Sequence, residues 1–128
     1  MTSAPCETSQ NAGQPLKPVN MYRMNGPDAS AFVTGPCGDS MEMYLIMQDG
    51  KITEAAFFSQ GCEATLLCGA ATAALAKGKT IMEALDLSPA IVIKLLAGLS
   101  EDHLHCSILA VNTLHSAVAD YLLRVQRG

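Results

Sequence analysis

The fold class is decided by one stretch of sequence, SMEMYLIMQDGKITEAAFFS, residues 40–59. Apolar and polar side chains alternate from Ser40 to Gln48, with Ile46 as the exception, and this alternation is typical of a half-buried strand. Asp49-Gly50 then predicts a tight hairpin turn, because both central residues of a type I′ turn need positive φ. The chain returns as a partner strand from Lys51 to Ser59, so the sheet is antiparallel. The first strand is expected to bury Met41, Met43, Leu45 and Met47, and the second Ile52, Ala56 and Phe58.

Upstream of the hairpin, Ala31–Thr34 predicts a short third strand. A loop follows it, because residues 35–39 (GPCGD) hold two glycines and a proline. Residues 1–28 are predicted to form a flexible N-terminal tail, since Thr, Ser, Asn, Gln, Gly and Pro dominate them and the prolines disfavour a long helix. Residues 29–128 are the predicted folded domain.

Downstream of the hairpin the sequence pattern becomes helical. An Ala- and Leu-rich segment with a single charge predicts a helix that is buried on most sides and ended by Gly78. Capping signals open two short helices, and an apolar stripe marks a long last one. The four predicted helices are Glu63–Ala76, one opened by Thr80 and Glu83, one from Ser88-Pro89 to near Gly98, and Ser107–Val125. Strands followed by helices predict an α+β domain, with a three-stranded antiparallel sheet and helices packed on one face.

The composition of the chain argues against nucleic-acid and membrane partners. The 128 residues suit one domain, and 49% hydrophobic residues allow a sizeable core. Eight basic against twelve acidic residues give a net charge of −4, which argues against nucleic acid as a partner, because phosphate binding needs a basic surface. No apolar run approaches the ~20 residues of a membrane span, and Met1–Gln10 lacks the basic and apolar regions of a secretory signal. We therefore expect a cytoplasmic protein with no membrane partner and with reduced thiols.

Five cysteines cannot form a fully paired disulfide framework, and reduced thiols favour metal binding or thiol chemistry. Cys37 lies in the Gly-rich loop, where small neighbours expose backbone N–H groups to the sulfur. Cys62 and Cys106 each precede a predicted helix, whose N-terminus favours the thiolate that binds metal and attacks sulfur. Cys68 lies in mid-helix and is assigned to the core, and Cys6 in the tail receives no role.

Polar side chains accompany these cysteines. Asp39 follows Cys37 by two residues, and His105 adjoins Cys106 in a predicted loop, where a ligand can be presented. His103 is interpreted as an exposed loop residue, and His115 as a surface or half-buried residue of the last helix. There is no Cys-x-x-Cys, no Gly-x-Gly-x-x-Gly and no Walker A sequence, so a zinc ribbon, a thioredoxin motif and these two nucleotide-binding motifs are excluded.

Three segments together resemble the NifU/IscU-type iron–sulfur cluster scaffold family: residues 35–39 (GPCGD), Gly61-Cys62, and residues 105–110 (HCSILA). The Lys77–Thr80 turn and residues 117–121 fit as well, so the resemblance runs from about Gly35 to Leu123. It implies a SufE/NifU-like fold. It also implies a scaffold function, in which a [2Fe–2S] cluster is assembled from iron and desulfurase-derived sulfur.

The resemblance also implies a role for each residue of the motifs. Cys37, Cys62 and Cys106 receive sulfur from a cysteine desulfurase as persulfide and hold iron, and the cluster later passes to apo-proteins. Asp39 corresponds to an aspartate that keeps the cluster labile, and His105 to a histidine that can serve as a fourth ligand. The same residues can hold zinc when no cluster is present. A non-cysteine ligand suits a cluster that must leave.

The sequence departs from the family pattern at two places. The family's Leu-Pro-Pro-Val-Lys segment, which a dedicated chaperone binds, corresponds here to Leu99–His103 without either proline or the lysine. Chaperone-assisted release in that form is therefore not expected. The N-terminal region lacks the family's opening helix, Asn-Pro-Arg included, which helps to dock the desulfurase in relatives.

Two other functions would use the same residues. In one, the chain is a zinc-bound sulfur acceptor that activates a cysteine desulfurase, because zinc takes Cys and Asp or His ligands tetrahedrally. In the other, Cys106 and His105 form a thiol hydrolase. Adjacent residues seldom face each other as nucleophile and base, so a non-catalytic scaffold is the preferred interpretation.

Overall fold

The computed structural model describes residues 18–36 and 38–127. Cys6 and Cys37 lie outside the described residues, as does the first part of the predicted tail. The described chain forms a three-stranded sheet followed by helices. The strands are β1 (Ala29–Thr34), β2 (Ser40–Gln48) and β3 (Lys51–Phe58); the helices are α1 (Glu63–Ala76), α2 (Ile81–Leu85), α3 (Pro89–Leu96), a 3-10 turn (Glu101–His103) and α4 (Leu104–Arg127).

The sheet is antiparallel in the order β1-β2-β3, as the alternating pattern predicts. At the β2–β3 turn, Asp49 has φ 54° and Gly50 has φ 78°, the two positive values that a type I′ turn requires. Met41, Met43 and Leu45 of β2 are fully buried, so the apolar face of the hairpin forms the floor of the core. The fold class predicted from the sequence is confirmed.

The predicted facing of β3 is wrong after Thr53, although Ile52 and Ala56 are both fully buried as expected. The register shifts at Ile46/Met47, where Ile52 pairs with Met47 but Glu54 pairs with Ile46, so Thr53 is an extra residue. A bulge of this kind reverses the facing of every later side chain. Phe57 therefore joins Ile52 in the core, and Phe58 faces outward, where the Arg23 guanidinium lies 4.2 Å from the centre of its ring.

Two helices cover the inner face of the sheet. α4 crosses β1 and β2, while α1 lies on β3 and against α4. Helix α1 contacts β3 closely at Gly69, where a Cβ atom would lie 2.5 Å from Cδ2 of Phe57. Ala and Thr side chains fill most of the rest of α1, which explains how a 14-residue helix is buried on nearly every side.

Residues 20–22 contact the domain along the free edge of β3. The Tyr22 backbone N–H donates to the Phe57 carbonyl (2.9 Å), and the Phe57 N–H donates to the Asn20 carbonyl (3.0 Å). At the opposite edge of the sheet, β1 is partly covered by a side chain of α4. The Asp120 carboxylate accepts a hydrogen bond from the Ser30 backbone N–H at 3.0 Å. Both contacts satisfy backbone groups that an edge strand would otherwise leave unpaired.

Helix α4 begins earlier than the sequence pattern predicts. Ser100 starts a 3-10 turn that runs directly into α4 at Leu104, so His105 and Cys106 lie inside the first turn of the helix and not in a loop before it. The acidic pair Glu101 and Asp102 at this N-terminus is the signal for the earlier start. The segment Glu101–Gln126 is long and apolar enough to cross a membrane by composition, but 50% of its most apolar window is buried in the domain, as in the core helix of a globular fold.

Candidate functional site

The candidate site lies where the loop before β2, the N-terminus of α1 and the first turn of α4 meet. Asp39 sits in the loop, which is closed by a hydrogen bond from the Gly35 N–H to the Asp39 carbonyl (2.8 Å). Cys62 occupies the N-cap position of α1 with extended backbone dihedrals. Cys106 enters from α4. Cys37, the remaining predicted ligand, belongs to the same loop but lies outside the described residues.

A buried threonine joins the three side chains. The Thr65 hydroxyl donates to Oδ2 of Asp39 at 2.7 Å, and its oxygen lies 3.4 Å from Sγ of Cys62 and 3.3 Å from Sγ of Cys106. Thr65 is the third residue of α1, one turn from the N-cap, and its side chain is fully buried. The structure thus brings Asp39, Cys62 and Cys106 to a single point, although they lie far apart in sequence.

The Asp39 carboxylate is held at the start of α1. The pKa of Asp39 is lowered, chiefly by the hydrogen bond from Thr65, against a smaller opposing effect of burial and with help from the Cys62 backbone and side chain and from the charge of His105. Gly61 makes this placement possible. A Cβ atom on residue 61 would lie 2.8 Å from Oδ2 of Asp39, closer than real Cβ atoms approach, and 3.0 Å from Cγ2 of Thr65, which is tighter than most real Cβ contacts.

Cys62 is an exposed, activated thiol. Its pKa is lowered by the Thr65 hydroxyl first, then by the backbone N–H groups of Thr65 and Ala64 at the helix start; burial and the Asp39 charge oppose the effect. Free N–H groups at a helix N-terminus favour a thiolate in this way. The predicted position of Cys62 at a helix start is therefore what the structure has, and the thiolate is the form that binds metal or attacks sulfur.

Cys106 and His105 differ in burial. The Cys106 side chain is fully buried, and Nε2 of the half-buried His105 lies 3.7 Å from its sulfur. The two side chains come within this distance although successive residues of a helix do not normally face each other. Burial of the sulfur disfavours the hydrolase alternative, which needs a nucleophile that a substrate can reach.

Among the described residues, Cys68, His103 and His115 lie outside this meeting point. Cys68 is buried in mid-helix, and burial raises its pKa to about 12, with the Cys106 and Cys62 charges adding to the shift. His115 contacts the Ala84 carbonyl at 3.2 Å on the far side of the helical layer. His103 is paired with the Ser100 hydroxyl at 2.8 Å.

An open groove adjoins the site on the Cys62 side. It has a volume of about 470 Å³ and runs between the start of α1 and the segment that joins α3 to α4. Its walls are of mixed polar and apolar character, and its lining includes Leu67, Leu96, Gly98, Leu99, Ser100 and His103. The groove reaches Cys62 but not Asp39 or Cys106. The exposed thiol therefore stands between the groove and the buried part of the site.

Within residues 18–36 and 38–127, no three His, Cys, Asp or Glu side chains are close enough to form a ready-made metal site. Asp39, Cys62 and Cys106 each contact the Thr65 hydroxyl, and they do not surround a position where a metal ion could be bound directly. The donor set is nonetheless suited to iron, because thiolate sulfur with one oxygen or nitrogen donor binds soft and intermediate metals. Whether Cys37 completes this set stays a prediction.

Comparison with known proteins identifies the family. The family model for the NifU-like N-terminal domain matches residues 16–127. This chain belongs to the NifU-like N-terminal domain family. Among its relatives is iron–sulfur cluster assembly scaffold protein IscU 1 of Archaeoglobus fulgidus, 36% identical over 105 residues that make up 81% of this chain and 69% of the relative. The resemblance predicted from the loop and cysteine motifs is confirmed.

Other members of the NifU-like family align over smaller parts of their length. The Drosophila melanogaster protein named iron–sulfur cluster assembly enzyme IscU is 35% identical over 92 residues, 71% of this chain and 59% of its own. Nitrogen fixation protein NifU of a Nostoc species is 30% identical over 87 residues, 66% of this chain but 29% of NifU. This chain therefore corresponds to one part of NifU.

Solved structures show the same fold. The N-terminal NifU-like protein from Brucella abortus superposes with a TM-score of 0.62 at 18% identity and covers 83% of this chain and 87% of that one. A protein described as a putative SUF-system scaffold from Fervidobacterium islandicum superposes with a TM-score of 0.61 at 17% identity, over 78% and 87%. At these identities the likeness establishes the NifU-like fold and nothing further.

Two residues of the site were missed by sequence reasoning. Thr65 looks like an ordinary small residue of an Ala-rich helix, and only its position three residues after a cysteine N-cap could have indicated it, because N-cap side chains face the third helical residue. In the sequence, Gly61 stands out only as a neighbour of Cys62. A Cβ atom at this position is excluded by Asp39, which is distant in sequence.

Proposed function

We propose that this chain is a scaffold on which a [2Fe–2S] cluster is assembled from iron and desulfurase-derived sulfur and from which the cluster passes to apo-proteins. Cys37, Cys62 and Cys106 are the proposed cysteine ligands, and Asp39 or His105 supplies the remaining one. The chain itself is proposed to catalyse no reaction. Relatives named as scaffold proteins support this function.

The observation that carries the proposal is the meeting of Asp39, Cys62 and Cys106 at one hydroxyl. A core does not require two cysteines and an aspartate from three separate elements to share a contact. A cysteine that only fills space lies inside an element on its apolar face, as Cys68 does. The arrangement at Thr65 is therefore best explained by chemistry that uses the sulfur atoms.

Sulfur is proposed to enter at Cys62. Its thiol is exposed, has a lowered pKa and lines the groove that a partner can reach. The Cys62 thiolate would attack the outer sulfur of a persulfide on the cysteine desulfurase. A new sulfur–sulfur bond then forms on Cys62, the bond in the donor persulfide breaks, and the desulfurase cysteine leaves as a thiolate.

Release is proposed to depend on the non-cysteine side of the site. The Asp39 carboxylate places a negative charge beside two cysteine sulfurs, and this charge opposes thiolate formation at Cys62. Asp39 thus makes an anionic, thiolate-ligated cargo less stable than an all-cysteine site would. A site built in this way holds the cluster weakly enough to transfer it to a recipient protein's cysteines.

Anaerobic reconstitution tests the function. The protein is incubated with ferrous iron, cysteine and a cysteine desulfurase, and iron, acid-labile sulfide and visible absorption are measured, with Mössbauer spectra to count the irons. We expect two irons and two sulfides per cluster in the wild type. Cys37→Ser, Cys62→Ser and Cys106→Ser should each lose most of the cluster.

Cys68→Ala is the matched control, because it removes a thiol that belongs to the core and not to the meeting point at Thr65. Its cluster content should equal that of the wild type. If the three serine variants bind as much cluster as Cys68→Ala, the scaffold function is wrong. Stoichiometric zinc that persists through purification, with desulfurase stimulation and no cluster, would instead establish the zinc-bound sulfur acceptor.

The proposed partners are a cysteine desulfurase and apo-proteins that accept clusters, and the proposed location is the cytoplasm. The segment Leu99–His103 is a 3-10 turn with its preceding residues and contributes Leu99, Ser100 and His103 to the groove beside Cys62. A chaperone that requires a Leu-Pro-Pro-Val-Lys segment is not expected to bind there.

A further inference from the structure

The Thr65 hydroxyl has more partners than it has protons. A hydroxyl carries one donor and two acceptor lone pairs. At Thr65 the donor serves Asp39 at 2.7 Å, and the oxygen lies within hydrogen-bond distance of the Cys62 and Cys106 sulfurs. The geometry makes Thr65 the donor to both Oδ2 of Asp39 and Sγ of Cys106, whereas either atom can donate between Thr65 and Cys62. Asp39 and Cys106 therefore compete for the one hydroxyl proton, and the shorter contact is the one to Asp39.

Burial makes this competition consequential. The Thr65 side chain is fully buried, so water does not reach its oxygen as a substitute partner. The carboxylate is also confined from the other side, because Gly61 leaves space only for a hydrogen atom there. Thr65 and Gly61 together determine where the Asp39 carboxylate lies relative to the two sulfurs.

We infer that Thr65 is a positioning residue, which holds the Asp39 carboxylate against Cys62 and Cys106 through its single hydroxyl proton and so sets how readily the site gives up its cargo. The inference rests on the proposed scaffold function and deepens it. Without the hydroxyl, the half-buried carboxylate is free to turn toward water, and the negative charge that opposes the thiolates moves away from them.

Two substitutions at Thr65 separate the effect of its hydroxyl group from the effect of its shape. Thr65→Val keeps the branched shape and removes the hydroxyl, and Thr65→Ser keeps the hydroxyl and removes the methyl group. The reconstituted cluster is challenged with a chelator, and the loss of its visible absorption gives a half-life. We expect Thr65→Val to lengthen the half-life roughly five-fold, in the direction of Asp39→Ala. Thr65→Ser should stay within two-fold of the wild type.

A double-mutant cycle decides whether Thr65 acts through Asp39. If it does, Thr65→Val adds no further lengthening in an Asp39→Ala protein, because the carboxylate that it positions is already absent. The same lengthening in both backgrounds would overturn the inference. So would a Thr65→Val half-life equal to or shorter than that of the wild type, or a Thr65→Ser protein that behaves like Thr65→Val.

A second measurement uses the cargo-free protein and needs no cluster. The rate at which iodoacetamide alkylates Cys62 is followed at one fixed pH by mass spectrometry of the Cys62 peptide. Asp39→Ala should accelerate alkylation, because a negative charge is removed. In that Asp39→Ala background, Thr65→Val should slow alkylation roughly five-fold, because Cys62 loses a hydrogen bond and no carboxylate is left to move. Thr65→Ser in the same background is the control, because it keeps the hydroxyl and should leave the alkylation rate equal to that of Asp39→Ala.

Cluster lifetime and Cys62 alkylation together distinguish failure of the scaffold function from failure of the inference about Thr65. If the wild type assembles no cluster, the scaffold function fails, while opposite shifts in alkylation rate still establish that Thr65 and Asp39 act on Cys62. If the wild type assembles a cluster but alkylation is the same in all variants, Thr65 does not position the site and the inference is overturned. Circular dichroism of each variant confirms that the helices are retained.

Discussion

Gly61→Ala tests whether the Asp39 carboxylate is held where the structure places it. An added Cβ atom would lie 2.8 Å from Oδ2 and 2.9 Å from Cγ of Asp39, and 3.0 Å from Cγ2 of Thr65. Ordinary contacts between such atoms are about 3.5 Å. The carboxylate must therefore withdraw by about half an ångström or more. Because the methyl group of Thr65 is crowded too, the Thr65–Asp39 hydrogen bond is expected to be stretched and weakened.

The expected cost follows from that bond. A hydrogen bond to a charged group contributes about 1.5–3 kcal/mol, and the half-exposed carboxylate regains part of this from water, which leaves about 1–2 kcal/mol. For a domain of this size the loss lowers Tm by roughly 4–10 °C. Gly35→Ala is the matched control, because it lies in the same part of the molecule and its added Cβ would meet no atom closer than 3.6 Å. Both substitutions restrict the unfolded chain alike, so their difference isolates the crowding.

Thermal and urea unfolding at pH 7 measure this difference, and pH adds a second criterion. The folded-state pKa of Asp39 is lowered, so its stabilising contribution is complete above the unfolded value near 4 and disappears as pH falls through the lower folded value. The stability gap between wild type and Gly61→Ala should therefore narrow near pH 3. If Gly61→Ala lies within about 0.5 kcal/mol of Gly35→Ala at pH 7, the carboxylate is not confined as described and the reasoning is refuted.

Three further outcomes are expected. Gly69→Ala should destabilise the fold by about 1–3 kcal/mol in urea unfolding, although alanine is the better helix former, because its Cβ would lie 2.5 Å from the Phe57 ring; a stabilised variant would show that α1 and β3 are not in close contact. Thr80→Ala should cost about 1 kcal/mol, because it removes the hydroxyl that accepts the Glu83 N–H in the capping box, with cluster content unchanged; lost cluster binding would mean that α2 supports the site. Asp39→Ala should give a longer-lived cluster under chelator challenge than the wild type, since it removes a negative charge beside the sulfurs, and equal or faster cluster loss would contradict the role given to Asp39.

Local signals explain which parts of the fold were predictable. The hairpin turn, the Thr80 capping box and the proline-opened α3 depend on residues next to one another, and each lies where the sequence places it. The facing of β3 depends instead on one extra residue at Thr53, which alternation alone cannot reveal. Helix α4 starts earlier than the sequence pattern predicts, because the acidic residues Glu101 and Asp102, and not the cysteine, mark its beginning.

The sequence indicates those residues of the site whose side chains are reactive or ligand-forming types. Cys62, Cys106 and Asp39 stand out by type and by context, and the structure brings them together. Thr65 and Gly61 carry no such signal. Their importance comes from a loop and a helix that are neighbours only in the folded chain, so a single sequence contains no local pattern that indicates them.

The same folding explains why the site has one rigid and one accessible side. Cys106 lies on α4, the helix that crosses two strands of the sheet, and its sulfur is fully buried. Cys62 lies at the first residue before α1 and is exposed beside the groove. A donor fixed to the core keeps its position while an exposed thiolate exchanges partners, because core side chains are held by close packing and surface groups are not. Sulfur entry and cluster exchange are therefore expected on the Cys62 side. The buried Thr65 holds the Asp39 carboxylate in a fixed position relative to the core through its hydrogen bond.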